Sequence, residues 1–552
     1  MVDEKKNEAL EAEVEYRTAV EEAYDYVENF DILETITNVG NDEVFTPRKT
    51  ADMMLDSLPE EVWHNPNYKW LNPATKNGIF EREIAIRLDK GLEEVIPEVE
   101  KRRKHILQNM IFSIGQTKFT SNVARRTLYY CSQANRKCDG IKAPDGHYVN
   151  GYAIGNGSWF DDEEGNIKTP ITDHSFKQGK CEFCGIKNDS KYIDPRQREQ
   201  YAYEFIHIYH LNLLRKLQDR FFGGNRSMKF DIVIGNPPYQ LSAAKVDEQQ
   251  NAIPIYNLFV KQAISLNPKY ICMIIPSRWL TGGRGLDDFR QDMFKDARIA
   301  SLHDFMDASE CFPTVEIKGG VCYFLWDRDH NGSLDYYNHH NGTVTKSKRR
   351  LDDMKVGLFV RDKNALSIIK KVIDSKDFVS FEKIAGSQTP FGIVTSFKDY
   401  TEKPNSTNTM KIYGNKFVGY TSMNNVLKNS DLAYKHKVYA PKAVGDGLIQ
   451  NDRVNAFVPD CPSICTQTYI IYGPFDTKEE ADNCAKYMST KFFHFLLGQL
   501  KNTQQMAPNL FKFVPMLDFK QEWNDKKLYE KYGLSDDEIS YIKQTVNKGV
   551  GV

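Results

Sequence analysis

The chain has 552 residues, enough for three or four domains at roughly 150 residues each, or for one large catalytic core with insertions. Hydrophobic residues at 41%, aromatics at 12% and charged residues at 27% are ordinary for a folded globular protein and exclude collagen-like, coiled-coil and wholly disordered chains. Lys plus Arg number 73 against 75 Asp plus Glu, so any contact with nucleic acid must come from a local basic face, not from bulk charge.

From the start of the chain, residues 4–29 place acidic and apolar positions at helical spacing, and residues 1–44 read as an N-terminal helical segment. They lack the basic start and apolar core of a secretory signal. No stretch reaches the roughly 18 apolar residues of a membrane span, so a cytoplasmic protein without a membrane partner is expected. After Phe45-Thr46-Pro47 a helix is expected over 47–58, then a short strand at 68–71, a polar turn and a helix over 80–88. Strand, loop and helix in that order open a Rossmann-like unit. A strand at 110–115 and a helix at 120–130 follow, whereas the glycine-rich text from about 131 to 200 reads as an insertion outside the core. Alternation resumes with a helix at 211–222, a strand at 230–234, a helix at 255–266, strands at 270–275 and 299–305 around a helix at 286–294, and a hairpin of 319–326 with 334–337. The pattern predicts an α/β catalytic domain over 45–345, a separate α+β domain over 346–480, and a helical region over 481–552 with helices at 479–497 and 536–546.

The most informative residues are Asn236-Pro237-Pro238-Tyr239, delivered by the apolar run Ile232-Val233-Ile234-Gly235 at the end where open α/β sheets hold their ligands. Two prolines remove two backbone donors and fix two φ angles, which leaves the carbonyls of Asn236 and Pro237 as outward acceptors. Asn236 adds a side-chain acceptor and Tyr239 a flat stacking face. Such a set suits an exocyclic amine: two acceptors take its hydrogens, its lone pair faces an electrophile, and its ring lies on the aromatic. No charged base is required.

With these residues the sequence resembles the DNA adenine-N6 methyltransferases, whose catalytic motif is [DNS]-P-P-[YFW] after an apolar strand. The resemblance implies a Rossmann-like core that uses S-adenosylmethionine, a flipped adenine in double-stranded DNA, and a C-terminal target-recognition domain over 346–480. Phe45, Thr46 and Pro47 look like the N-terminal motif that packs against the cofactor, and Asn72, Pro73, Ala74, Gly78 and Phe80 look like the cofactor loop. This order is the gamma arrangement, most like the large type II restriction-modification methylases. It implies a site-specific modification enzyme; no nuclease constellation stands out, so a restriction subunit is expected to be a separate polypeptide. Two departures stand against the family pattern D-P-A-C-G-S-G. Asn72 replaces the acid, and Lys76 replaces the first loop glycine, so that its side chain either turns away from the cofactor or narrows its space. The acid expected after the second strand is also missing, and Gln116 stands there as a substitute acceptor for a ribose hydroxyl. The alternative these departures leave is a cofactor-poor or partner-dependent DNA-recognition subunit; RNA or a protein glutamine as substrate shares the same amine chemistry.

Cys181-Glu182-Phe183-Cys184-Gly185 is a Cys-x-x-Cys knuckle, suited to two thiolates on one tetrahedral ion. Cys131 and Cys138 are its natural partners, with His147 or His174 in reserve for Cys138, and a structural zinc is expected to staple the insertion. Weaker features are the glycine loops at 223–226 and 282–285, the basic run Lys346, Lys348, Arg349 and Arg350, and the series Lys435, Lys437, Tyr439 and Lys442, which reads as strand surface.

Overall fold

The structure is a computed structural model. It describes residues 44–130, 159–160, 162, 164–172, 174–185, 187–188, 201–207, 215, 217, 219, 229–240, 253–283, 285–340, 342–354, 357–445, 449–501 and 504–546. The helices expected at 4–29 and 211–222, the glycine loop at 223–226, and Cys131, Cys138 and His147 lie outside these residues, or are described at isolated positions only. The chain divides into two compact units. The first takes residues up to 276, 284–316 and 321–350; the second takes 277–283, 317–320 and 351 onward.

The first unit is built on a nine-stranded sheet in the order β11-β10-β8-β9-β7-β6-β1-β2-β3. Its strands are β1 (Trp70–Thr75), β2 (Ile111–Gly115), β3 (Ile167–Lys168), β6 (Ile232–Gly235), β7 (Tyr270–Pro276), β8 (Ile299–Phe305), β9 (Val321–Asp327), β10 (Leu334–His340) and β11 (Thr343–Arg349). A small separate hairpin holds β4 (Phe176–Lys177) and β5 (Lys180–Cys181). Around the sheet run α1 (Arg48–Asp56), α2 (Ile79–Gly91), α3 (Lys118–Arg125), α4 (Glu204–His207), α5 (Tyr256–Ser265) and α6 (Asp287–Lys295). Strands β1, β6 and β7 are buried at every position, as a parallel sheet covered on both faces requires. β1 pairs in parallel with β2 on one side and β6 on the other, so the chain reverses direction across the sheet there. That switch point is where open α/β sheets hold ligands.

Three sequence expectations change here. The loop expected after 71 is strand as far as Thr75, but the β1–β2 register shifts between Asn72 and Thr75, and the β1–β6 pairing stops at Leu71. Pro73 lacks the N–H that a regular ladder would use, so the strands part at the start of the motif. Residues 167 and 168, inside the expected insertion, form β3 and extend the main sheet beside β2. The expected hairpin of 319–326 with 334–337 does not form. β9 runs antiparallel between β7 and β8, with both edges occupied, so β10 pairs in parallel with β8 instead.

The second unit holds a three-stranded sheet of β12 (Met410–Gly414), β13 (Phe417–Thr421) and β15 (Ser463–Cys465), and a pair of β14 (His436–Pro441) with β16 (Tyr469–Phe475). Its helices are α7 (Ala365–Ile373), α8 (Lys478–Tyr487), α9 (Lys491–Gly498), α10 (Asp525–Lys531) and α11 (Asp536–Thr545). One apolar core joins residues from Met354 to Val546, so the segment after 480 shares a core with what precedes it and is not a region of its own. Phe381 sits in it against Tyr487, Phe493, Phe511 and Phe519, all from that later segment. The single helix expected over 479–497 is two, because the Thr490 hydroxyl accepts from Phe493 N–H and caps a new start. Lys437 and Tyr439, expected on a strand surface, are buried.

Candidate active site

Asn236 stands at the carboxyl end of β6 and is 3% exposed. Its amide Nδ2 donates to Thr46 Oγ1 at 3.1 Å and approaches the Val44 carbonyl at 3.5 Å. Asn236 Oδ1 is buried with no hydrogen-bond partner among the described residues. The side chain is therefore fixed through its donor and keeps its acceptor. A buried amide oxygen left this way costs on the order of 1–3 kcal/mol unless a ligand supplies a donor. Pro237 and Pro238 are buried behind it. Tyr239 has a partly exposed ring but a buried hydroxyl, and its ring meets Tyr256 edge to face at 6.5 Å. Burial, ahead of nearby Cys311, Cys322 and Tyr256, pushes the Tyr239 hydroxyl well above the ordinary phenol range, so it stays neutral.

The other two motif segments meet the same strand end. Phe45 and Thr46 are buried. Lys76, 6% exposed, donates its amine to the Val44 carbonyl at 2.9 Å. It thus pins the segment that carries Thr46, a use the sequence did not suggest. Gly235 allows the close approach of β1: a Cβ there would lie 2.5 Å from Asn72 Oδ1. Gly78, at φ +79°, turns the chain into α2, and a Cβ there would press on the Ala124 backbone of α3 at 2.9 Å.

Asn72 does not face this site alone. Its Oδ1 accepts from Ala74 N–H at 3.1 Å, and its Nδ2 donates to Glu81 Oε1 at 2.9 Å. Glu81, 1% exposed in the first turn of α2, also accepts from Ser113 Oγ at 2.7 Å. A buried carboxylate, Glu81, thus lies against Asn72, a residue sequence reasoning missed. Glu81 Oε2, Thr75 Oγ1 and Asn77 Nδ2 are buried without partners among the described residues. Gln116, fully buried at the end of β2, donates its N–H to the Thr75 carbonyl at 2.9 Å. The polar atoms of Thr75, Asn77, Glu81 and Asn236 that lack partners among the described residues fit a polar ligand such as S-adenosylmethionine, which carries an ammonium, a carboxylate and ribose hydroxyls. Among the remaining candidates, Gly282 and Gly283 belong to the second unit. Lys346, Lys348 and Arg350 are exposed on or just after the edge strand β11.

The Eco57I restriction-modification methylase family matches residues 109–312. An uncharacterized adenine-specific methylase of Mycoplasma pneumoniae is 44% identical over 372 residues, which are 65% of this chain and 85% of that protein. Solved structures of lower similarity include a DrdV–DNA complex, 10% identical with a TM-score of 0.47, which covers 91% of this chain and 57% of the other. A nuclease-deletion mutant of the Type ISP restriction-modification enzyme LlaGI is 11% identical with a TM-score of 0.44, covering 85% of this chain and 46% of the other. The chain thus spans about half the length of these two proteins. No helix among the described residues is long and apolar enough to cross a membrane. With its Asn-Pro-Pro-Tyr strand end and a relative of this identity, the chain belongs to the adenine-specific methylases of the Eco57I restriction-modification type.

Proposed function

We propose that this methylase transfers a methyl group from S-adenosylmethionine to N6 of an adenine flipped out of double-stranded DNA, as the modification component of a restriction system. The observation that carries the reading is Asn236, held through Nδ2 by Thr46 while Oδ1 stays buried and unpaired. When bound, S-adenosylmethionine supplies an electrophilic methyl group on a sulfonium sulfur. Asn236 Oδ1 and the Pro237 carbonyl accept the two hydrogens of the adenine amine and so present its lone pair for the new N–C bond. Both acceptors would stabilise the positive charge on that nitrogen as it takes the methyl group, and one N–H proton would then leave to water. Pro238 holds the turn. Tyr239 stacks on the base, returning about 1–3 kcal/mol against the few kcal/mol spent on flipping.

Around the cofactor, Phe45, Thr46, Pro47, Pro73, Ala74 and Phe80 form the walls, with Gly78 at the start of α2. Glu81, oriented by Asn72, receives the α-amino group. Asn77 Nδ2 and the amino end of α2 receive the carboxylate. Gln116 accepts from a ribose hydroxyl. The second unit reads the DNA sequence, and the exposed lysines of β11 hold phosphates. Asn236→Ala is expected to lower methyl transfer by about 10²–10³-fold, with S-adenosylmethionine affinity changed only severalfold. Turnover retained in that variant would place the acceptor elsewhere.

A further inference from the structure

Apart from the methyl-transfer site, His174, Cys181, Cys184 and His207 each offer one ligand atom, and these atoms all lie within 4.8 Å of one another. We propose that they form a zinc site, with the two thiolates and two imidazoles closing a tetrahedral shell around one Zn²⁺. Four protein ligands leave no open position, so the ion is structural.

Local geometry supports each ligand. Gly185, at φ +74°, donates its N–H to the Cys181 carbonyl at 2.9 Å and closes the Cys-x-x-Cys turn. His174 Nδ1 lies 3.7 Å from Cys184 Sγ, close to the edge of about 3.5 Å that Zn–S and Zn–N bonds of about 2.3 and 2.0 Å give in a tetrahedron. His207 Nδ1 donates to the Tyr203 carbonyl, and its Nε2 is buried with no hydrogen-bond partner among the described residues. A ligating histidine is usually held in this way, its second nitrogen bonded to a backbone carbonyl. Neither cysteine is in a disulfide with another described residue.

The fold gives the ion something to do. Strands β4 and β5 have two residues each and join through Gln178-Gly179, both at positive φ. A hairpin that short is not stable alone. His207 closes α4, whose preceding turn begins with Tyr201 N–H on the Gln116 carbonyl at 2.8 Å. The ion would tie the hairpin to a segment anchored on the main sheet, and each cysteine would give up its thiol proton to solvent on binding.

The test needs no methyl transfer, so its failure is separate from failure of the proposed activity. The full chain, purified without chelators or a histidine tag, should carry about one zinc per molecule by mass spectrometry. After metal removal, added Co²⁺ should give the visible bands of tetrahedral Co²⁺ with charge transfer from two thiolates. His207→Ala should weaken Zn²⁺ binding by roughly tenfold or more, while a Cys131→Ser, Cys138→Ser double variant should bind normally. His207→Cys, which keeps a ligand should the alanine variant not fold, should retain Co²⁺ and add a third thiolate to its charge-transfer band. Absence of zinc and of Co²⁺ bands in the unmodified chain would overturn the site. So would metal lost in the Cys131, Cys138 double variant and kept in His207→Ala.

Discussion

Thr46 has one evident task, to take the Asn236 amide hydrogen at 3.1 Å and so settle which end of that side chain faces outward. Thr46→Val should therefore lower kcat by about 5–30-fold, the worth of about 1–2 kcal/mol, with Thr46→Ser close to unchanged. Steady-state kinetics on one oligonucleotide would check this; equal kcat in all three would mean that Asn236 is held by other contacts. Glu81 invites a paired test. Asn72→Asp restores the residue more usual in the family, yet it sets a second carboxylate where Asn72 Nδ2 now donates at 2.9 Å to Glu81. Two carboxylates that close cannot both ionise readily. Asn72→Asp alone should weaken S-adenosylmethionine binding about tenfold, and Asn72→Asp with Glu81→Gln should recover most of it, as calorimetry would show. The tetrapeptide Asn236 to Tyr239 stands out in the sequence because its proposed chemistry is contiguous. Glu81 reaches Asn72 only through the fold, although one signal was present: with Ile84, Ala85 and Leu88 it lies on the buried stripe of α2, where an acid needs partners.

Among the elements, β2, β6, β7 and β8 and the helices α1, α2, α5 and α6 lie where periodicity places them, and the misreadings have physical causes. β9 and β10 are consecutive and close in sequence, yet β9 has already spent both edges on β7 and β8. Edge occupancy is a property of the sheet, not of the hairpin sequence. β3 has two residues, too short for any period. The break before α9 carried a usable sign in Ser489-Thr490 ahead of an apolar run. That helix also holds a pH-sensitive bond. His494 donates from Nδ1 to the Thr490 carbonyl at 2.9 Å, and its Nε2 accepts from Val454 N–H at 2.9 Å. Burial lowers its pKa from 6.5 to about 4. With the folded value below the unfolded one, the unfolded chain binds more protons between these limits. Stability is fully present above about pH 6.5 and is lost as pH falls toward 4, at up to about 1.4 kcal/mol per pH unit. Urea unfolding across that window should show the loss, and His494→Gln should flatten it; the same slope in both would contradict the assignment.

At the scale of the molecule, the second unit holds the chain from residue 351 onward, and one apolar core runs through it on both sides of residue 480. Phe381 decides that point, since it packs against Tyr472 before residue 480 and against Tyr487, Phe493, Phe511 and Phe519 beyond it. Phe381→Ala should destabilise the second unit by about 3–5 kcal/mol, read as a shift in its denaturation midpoint. A loss below about 1 kcal/mol would show that the later helices stand apart from that core.

We propose that the strand end at Asn236 methylates adenine in DNA. This is tested most directly by incubating the full chain with radiolabelled S-adenosylmethionine and unmethylated bacterial DNA, then resolving the product nucleosides. Label is expected in N6-methyladenine and is expected to be lost in Asn236→Ala. Label in another base, or none while S-adenosylmethionine binds and the DNA is bound, would contradict it.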